Sequence, residues 1–186
     1  FTPSPIKFPE IPIHVAAVNP YMCKVASEVA DGVRLHPVCS ARFIEESLIP
    51  SMIKERKKGF EVCLKPLIAV GDRNEDLDIR RELVRERLAF YCSTPSYSAP
   101  FESLGLGDLC REMANLSKKS QWNKMKSKID DQLLNEFAII ETYDNLSATI
   151  KTRYANLIDR IELTIPLPKK DGVHKLQEII NSVSTL

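Results

Sequence analysis

The sequence predicts an α/β fold in which parallel strands are joined by crossover helices. Three observations predict it. Short apolar, β-branched stretches alternate with segments of helical spacing in the order β-α-β-α-β-α-β-α. One stretch, HVAAVNPYMCKVASEVADGVRLHP from His14 to Pro37, sets a strand, a tight turn, a helix and a second strand end to end. The chain has 186 residues, enough for a single domain over residues 1–186 with a real core.

Each element follows from its residues. Ile11 to Ala17 is apolar, with Ile13 and Val15 β-branched, and reads as a buried strand. Asn19 before Pro20 reads as an N-cap and first helical residue, and Tyr21 to Ala30 continues the helix. Gly32 to Leu35 is a second strand. Phe43, Ile44, Leu48, Ile49, Met52 and Ile53 recur at helical spacing. Phe60 to Val70, FEVCLKPLIAV, reads as one third strand, closed by Gly71 and Asp72. Glu75 and Asp76 give a long helix an acidic first turn, and Leu77, Val84, Leu88 and Tyr91 form its inner face. Cys92 to Gly107 is rich in Ser, Pro and Gly and reads as loop. Helical patterns follow over Asp108 to Ser117, Trp122 to Ile140 and Leu146 to Ile158. Arg160 to Leu167, RIELTIPL, reads as the fourth strand. The tail from Val173 carries Leu176, Ile179, Ile180 and Val183, again helical. Four such units make either a small open sheet or half of an eightfold barrel, which takes about 250 residues when whole.

Composition excludes several function classes. A net charge of +1 offers no broad attraction for nucleic acid or acidic lipid. The basic run Lys118 to Lys128 holds one aromatic and no stacking array, so it reads as a solvated helix face. No apolar run is long enough to span a bilayer. Five scattered cysteines without a C-x-x-C pair fit reduced thiols, a cytoplasmic location and no zinc site. The Pro-rich opening, FTPSPIKFPEIP, starts on Phe1, as expected of a piece of something longer.

Pro12 to Pro37 resembles the luciferase-like flavin- and deazaflavin-dependent oxidoreductases. That family carries a strand of the type P-I-x-V-[GA]-[AG], a short turn ending in Pro, and a helix closing on A-D-G-V. Here these are Pro12 to Ala17, Val18 to Pro20, and Ala30 to Val33. Gly71-Asp72, RERLAFYCSTPSY (Arg85 to Tyr97), GLGDL (Gly105 to Leu109) and RYANLIDRI (Arg153 to Ile161) are similar to the branch that uses coenzyme F420, a deazaflavin. The likeness covers nearly the whole chain. It implies a TIM (β/α)8 barrel of which this chain carries the second half, strands five to eight, with the N-terminal half absent. It implies hydride transfer between coenzyme F420, or alternatively FMN, and an organic small-molecule substrate that the sequence does not identify. With FMN and oxygen the outcome is monooxygenation. No catalytic acid or base is assigned; the absent half is one place for the matching residues. A second function class stands beside this one: a non-catalytic flavin-fold remnant that binds a ligand or partner without turnover. The half-barrel also implies a missing half or homo-oligomer, because both outer strands keep an unpaired edge and inward side chains such as Val15 and Ile165 stay partly wet.

The candidate site residues lie after the strands, where barrel enzymes place their active sites. Ala16, Ala17, Val18 and Asn19 form a small-residue turn ahead of a helix N-terminus, whose free N–H groups suit a phosphate. The resemblance implies that this turn binds the cofactor phosphate; an ordinary capped β-to-α turn is the alternative. Relatives often carry glycine where this chain has Ala16, Ala17 and Val18, so Val18 requires a negative φ. His36 follows the second strand and either meets the cofactor's phosphate or ribityl tail, faces substrate, or caps the next helix. Arg34, between Val33 and Leu35, reads as a charge on the other face. His14 reads as a packed or barrel-lining histidine, His174 as solvent-facing, Asp31 as structural and Cys39 as a buried thiol. Arg85, Phe90, Tyr91 and Tyr97 read as pocket wall or as helix packing.

Overall fold

The computed structural model describes residues 11–52, 56–169 and 171–184. The lead-in before residue 11 and Ile53 lie outside the described residues. Strand β1 (His14–Ala17) runs into α1 (Pro20–Val29), then β2 (Gly32–Leu35). A helical run follows: α2 (Ala41–Phe43), a π turn (Ile44–Leu48) and α3 (Ile49–Ser51). Pro50 has no N–H to give back to the helix, and the widened turn forms just ahead of it, with Ile49 N–H bonded to the Ile44 carbonyl. Next come β3 (Glu61–Leu64), β4 (Leu67–Gly71) and the long α4 (Asn74–Cys92). The expected loop holds a 3-10 turn (Pro95–Tyr97) and α5 (Ala99–Glu102). Then come α6 (Gly107–Lys118), α7 (Trp122–Lys126), α8 (Asp131–Phe137), β5 (Ala138–Thr142), α9 (Tyr143–Tyr154), β6 (Arg160–Ile161) and α10 (Gly172–Val183).

All strand pairs are parallel. One sheet has the order β1-β2-β3-β6, which is chain order, and β4-β5 forms a second, two-stranded sheet. Three expectations are corrected. The stretch Phe60 to Val70 is two strands, because the ladder breaks at Lys65-Pro66 and its halves pair with different partners; Pro66 has no N–H for a ladder. The helix expected over Trp122 to Ile140 breaks. Asp130 caps α8 by accepting the Leu133 N–H at 2.8 Å, and Ala138 turns extended to open β5. The fourth strand is short: past Ile161 only the Glu162 N–H reaches the Leu64 carbonyl, at 2.8 Å, and Pro166 lies beyond.

The two sheets differ in cover. On β4-β5, Leu67, Ala69 and Ala138 belong to a core shared with α4, α6 and α8, while Val70 and Ile139 belong to the core with α1 and α9, so both faces are buried. Among the described residues, helices cover the four-stranded sheet on one face only. Ala17, Val33, Leu35, Val62 and Leu64 pack against α1, the helical run of residues 41–51, and α9. The opposite face carries His14, Ala16, Gly32, Arg34, Glu61, Cys63 and Arg160, aligned by the parallel register. Val15 and Ile165, expected on that open face, pack partly buried against the helix-side core.

Candidate functional site

The carboxyl ends of β1, β2 and β3 meet at one rim. Asn19 has extended backbone, and its Oδ1 accepts the Met22 N–H at 2.9 Å, so it caps α1. Cys23 N–H goes to the Asn19 carbonyl at 3.1 Å, and Pro20 has no N–H. Ala17 is still inside the β1-β2 ladder, where its carbonyl accepts the His36 N–H at 2.9 Å. The N–H groups of Val18, Asn19 and Tyr21 have no protein acceptor among the described residues. These donors and the positive end of the α1 dipole suit an anion. Val18 meets the requirement for a negative φ: the non-glycine residues with positive φ among the described ones are Ser120, Asn156 and Asp171. Its side chain is buried.

Ala16, Ala17, Val18 and His36 line one cavity of about 300 Å³, together with Tyr97 and Lys65. Asn19 does not line it and acts through the cap. His36 is held by aromatic contact. Its ring stacks on Tyr97, with centroids 4.1 Å apart and planes at 23°, and meets the edge of Tyr91 at 4.9 Å. Val38 N–H points at its Nδ1 at 3.4 Å, which leaves the proton on Nε2. Burial pulls the His36 pKa below its ordinary value, so the ring is a neutral donor at Nε2. The long loop thus supplies Tyr97 and the end of α4 supplies Tyr91, both to orient His36.

Lys65 and Arg34 were not singled out for this site by their sequence context. Lys65 sits inside an apolar run that reads as a continuous strand. The bend at Pro66 brings it to the rim, and a lysine before a proline in such a run is the signal that was there to read. Arg34 does stand on the open face, exposed and ion-paired to Glu162, and it also lines the rim cavity. Lys65 reaches the same carboxylate at 3.1 Å.

Phe90 is exposed, and Asp31, Cys39, His174 and Arg85 stand away from the rim cavity. Asp31 accepts the Ile13 N–H at 2.8 Å and pairs with Lys57, tying β1 to the start of β2. The Cys39 thiol is buried and pushed up by burial, and Cys23 is pushed up to about 12 for the same reason. Neither suits a nucleophile. His174 is exposed beside Glu178. Arg85 is bound to the Ile129 carbonyl, Glu82 and Asp131, a helix-packing role. Within the basic run, Lys126 pairs with Glu82 and Glu86, and Lys128 with Glu112. Among the described residues no helix is long and apolar enough to cross a membrane.

The family model for the luciferase-like monooxygenases matches residues 1–160. Proteins of Mycobacterium bovis and of two Mycobacterium tuberculosis strains, each described as uncharacterized, are 33% identical over 167 residues, covering 87% of this chain and 49% of their own length. Among solved structures, the coenzyme F420 dependent tetrahydromethanopterin reductase of Methanopyrus kandleri has a similar fold, with a TM-score of 0.68 and 17% identity over 91% of this chain and 49% of that one. The chain therefore spans about half the length of the curated relatives it matches.

Proposed function

The chain belongs to the luciferase-like monooxygenase family, and from that premise we propose that it forms the phosphate-holding side of an oxidoreductase site for a deazaflavin of the coenzyme F420 type. The observation that carries this reading is the convergence at the rim of a helix N-terminus, a neutral histidine donor and two cations on one cavity. The phosphate arm of the cofactor lies against the N–H groups of Val18, Asn19 and Tyr21. His36 Nε2–H donates to the phosphate or ribityl tail, and the Tyr97 ring fixes its orientation. Lys65 and Arg34 add positive charge to the same cavity. When bound, the deazaflavin supplies hydride transfer to or from a substrate carbon. FMN also carries a phosphate on its ribityl chain and is the competing cofactor; the F420-type reading is favoured by the branch motifs quoted above.

The ring of the cofactor needs a second wall. The open face of the four-stranded sheet is where further strands, or a second copy, would close it. We infer that the 186-residue chain alone holds the phosphate arm and binds the whole cofactor weakly.

Titration of the purified chain with coenzyme F420 and with FMN, followed by fluorescence quenching and competed with inorganic phosphate, tests this. F420 should bind more tightly than FMN, and phosphate should displace both. Asn19→Ala should weaken all three ligands and lower stability by about 1 kcal/mol through loss of the cap. Cofactor binding that phosphate does not compete, and that Asn19→Ala leaves unchanged, overturns the assignment. Sedimentation with and without F420 reports whether a second copy closes the site.

A further inference from the structure

We propose that His14, Glu61 and Cys63, on the open sheet face, form a binding site for one divalent transition-metal ion of the zinc class. His14 lies three residues before Ala17, about 10 Å along the strand from the rim; Cys63 stands two residues nearer, level with Ala16 and Arg34, and Arg34 lines both cavities.

The geometry begins at Gly32. His14, Gly32 and Glu61 are level with one another across β1, β2 and β3. A Cβ on Gly32 would stand 2.8 Å from His14 Nε2 and 2.7 Å from the Glu61 carbonyl. The missing side chain is what lets the imidazole lie across β2 and reach β3, two strands away. There its Nδ1 is 3.3 Å from Cys63 Sγ, and its Nε2 is 3.4 Å from Glu61 Oε2. One ligand atom from each of the three residues falls within 4.8 Å of the other two. The two short contacts fall on different ring nitrogens, so one ion takes a single nitrogen and draws the remaining partner inward; bonds of about 2.0–2.3 Å place tetrahedral donors about 3.3–3.8 Å apart.

The donor types select the ion. A thiolate, an imidazole and one carboxylate form a borderline-soft set that favours zinc or cobalt over magnesium or calcium. Arg34, level with Cys63, is paired to Glu162, and Arg160 Nε holds Glu61 Oε2 at 2.6 Å. That bond fixes the carboxylate, as outer partners of metal ligands do. The three residues open on a cavity of about 410 Å³, which leaves room for a fourth ligand. An ion here ties β1 to β3 across β2, on a face that no helix covers among the described residues.

Titration of the chelator-treated chain with Co²⁺ alone is the test. A sulfur-to-cobalt charge-transfer band should rise and saturate at one equivalent, and Zn²⁺ should abolish it while Mg²⁺ leaves it intact. Cys63→Ser should remove the band. Glu61→Gln should weaken Co²⁺ at least as much as loss of an outer partner of a metal ligand does, roughly 10- to 100-fold. Cys92→Ser should change nothing; Cys92 and Cys110 lie 3.7 Å apart and are the alternative thiol site. No band, a band that survives Cys63→Ser, or a band lost in Cys92→Ser overturns the proposal. If Cys63→Ser fails to fold by circular dichroism, the native chain decides. Zn²⁺ at ten times its dissociation constant should slow alkylation of Cys63 about 10-fold, as mass action requires, and unaltered alkylation overturns the site.

Discussion

Val33 and Leu35 on one face of β2 are fully buried against α1 and the helical run of residues 41–51, while Arg34 between them stands exposed and ion-paired to Glu162. Three consecutive residues thus belong to two environments. The covered face is an ordinary helix-backed core. The open face has two tiers. Toward the amino end His14 and Glu61, with Cys63 two residues nearer the rim, offer lone pairs; at the carboxyl rim Val18, Asn19 and Tyr21 offer N–H groups beside Lys65. The first tier suits a cation and the second an anion. The difference also revises the expected cost of leaving this face open. Val15 and Ile165 pack with the helix-side core, so the open face is largely polar and its exposure costs less than an apolar wall would. Association through this face should accordingly weaken with salt.

The covered and open faces differ most at Leu35 and Arg34. Leu35→Ala empties a fully buried position and should cost about 2–5 kcal/mol, read from the midpoint of urea denaturation. Next in size is Gly32→Ala, which addresses the amino-end tier. The new Cβ meets the Glu61 carbonyl at 2.7 Å, backbone that cannot step aside, and the His14 ring. It should cost about 1–3 kcal/mol. It should displace His14 while phosphate still binds at the rim. Equal loss at both tiers would mean that the two tiers are one site.

The same contrast explains what the sequence made legible. Where a strand has one covered face, its alternation is visible: Val33, Arg34 and Leu35 announce both the strand and its register. Where both faces are buried, alternation disappears. Ala138, Ile139 and Ile140 of β5 form a continuous apolar run next to a helix, and periodicity alone does not separate a doubly buried strand from a helix. The rim was legible because Asn19-Pro20 and His36 are local signals. Tyr97, Lys65 and the Gly32 notch were not, because each depends on a neighbour distant in sequence: a ring stacked from a long loop, a bend in a strand, an imidazole arriving from β1.

His36 sharpens the comparison through pH. Burial lowers its folded-state pKa, and the unfolded chain titrates near 6.5. The unfolded state therefore takes up the proton first. The stability from keeping this ring neutral is fully present above about 6.5 and is lost as pH falls through the folded-state value. Stability measured from pH 7.5 downward should drop more steeply for the native chain than for His36→Phe. Parallel pH profiles would mean that His36 is not the titrating group at the rim. Phosphate affinity should also fall in this variant, while Co²⁺ binding at the other tier stays unchanged.

The smallest effect is expected one residue from the largest. Arg34 and Glu162 are both about half exposed, with side chains 51% and 41% accessible. Water and salt screen such a pair, and holding two long side chains in one geometry costs entropy. Arg34→Ala should therefore change stability by no more than about 0.5 kcal/mol. Its consequence should appear in binding instead. Arg34 lines the rim cavity, so its removal should weaken phosphate, and the remaining affinity should fall less steeply with salt. The two variants belong in one experiment, with urea denaturation and phosphate titration on Arg34→Ala and Leu35→Ala side by side. Loss of stability in Arg34→Ala comparable with that in Leu35→Ala would mean that the open face is packed like a core in solution, and that a second copy or a further segment of the protein already covers it.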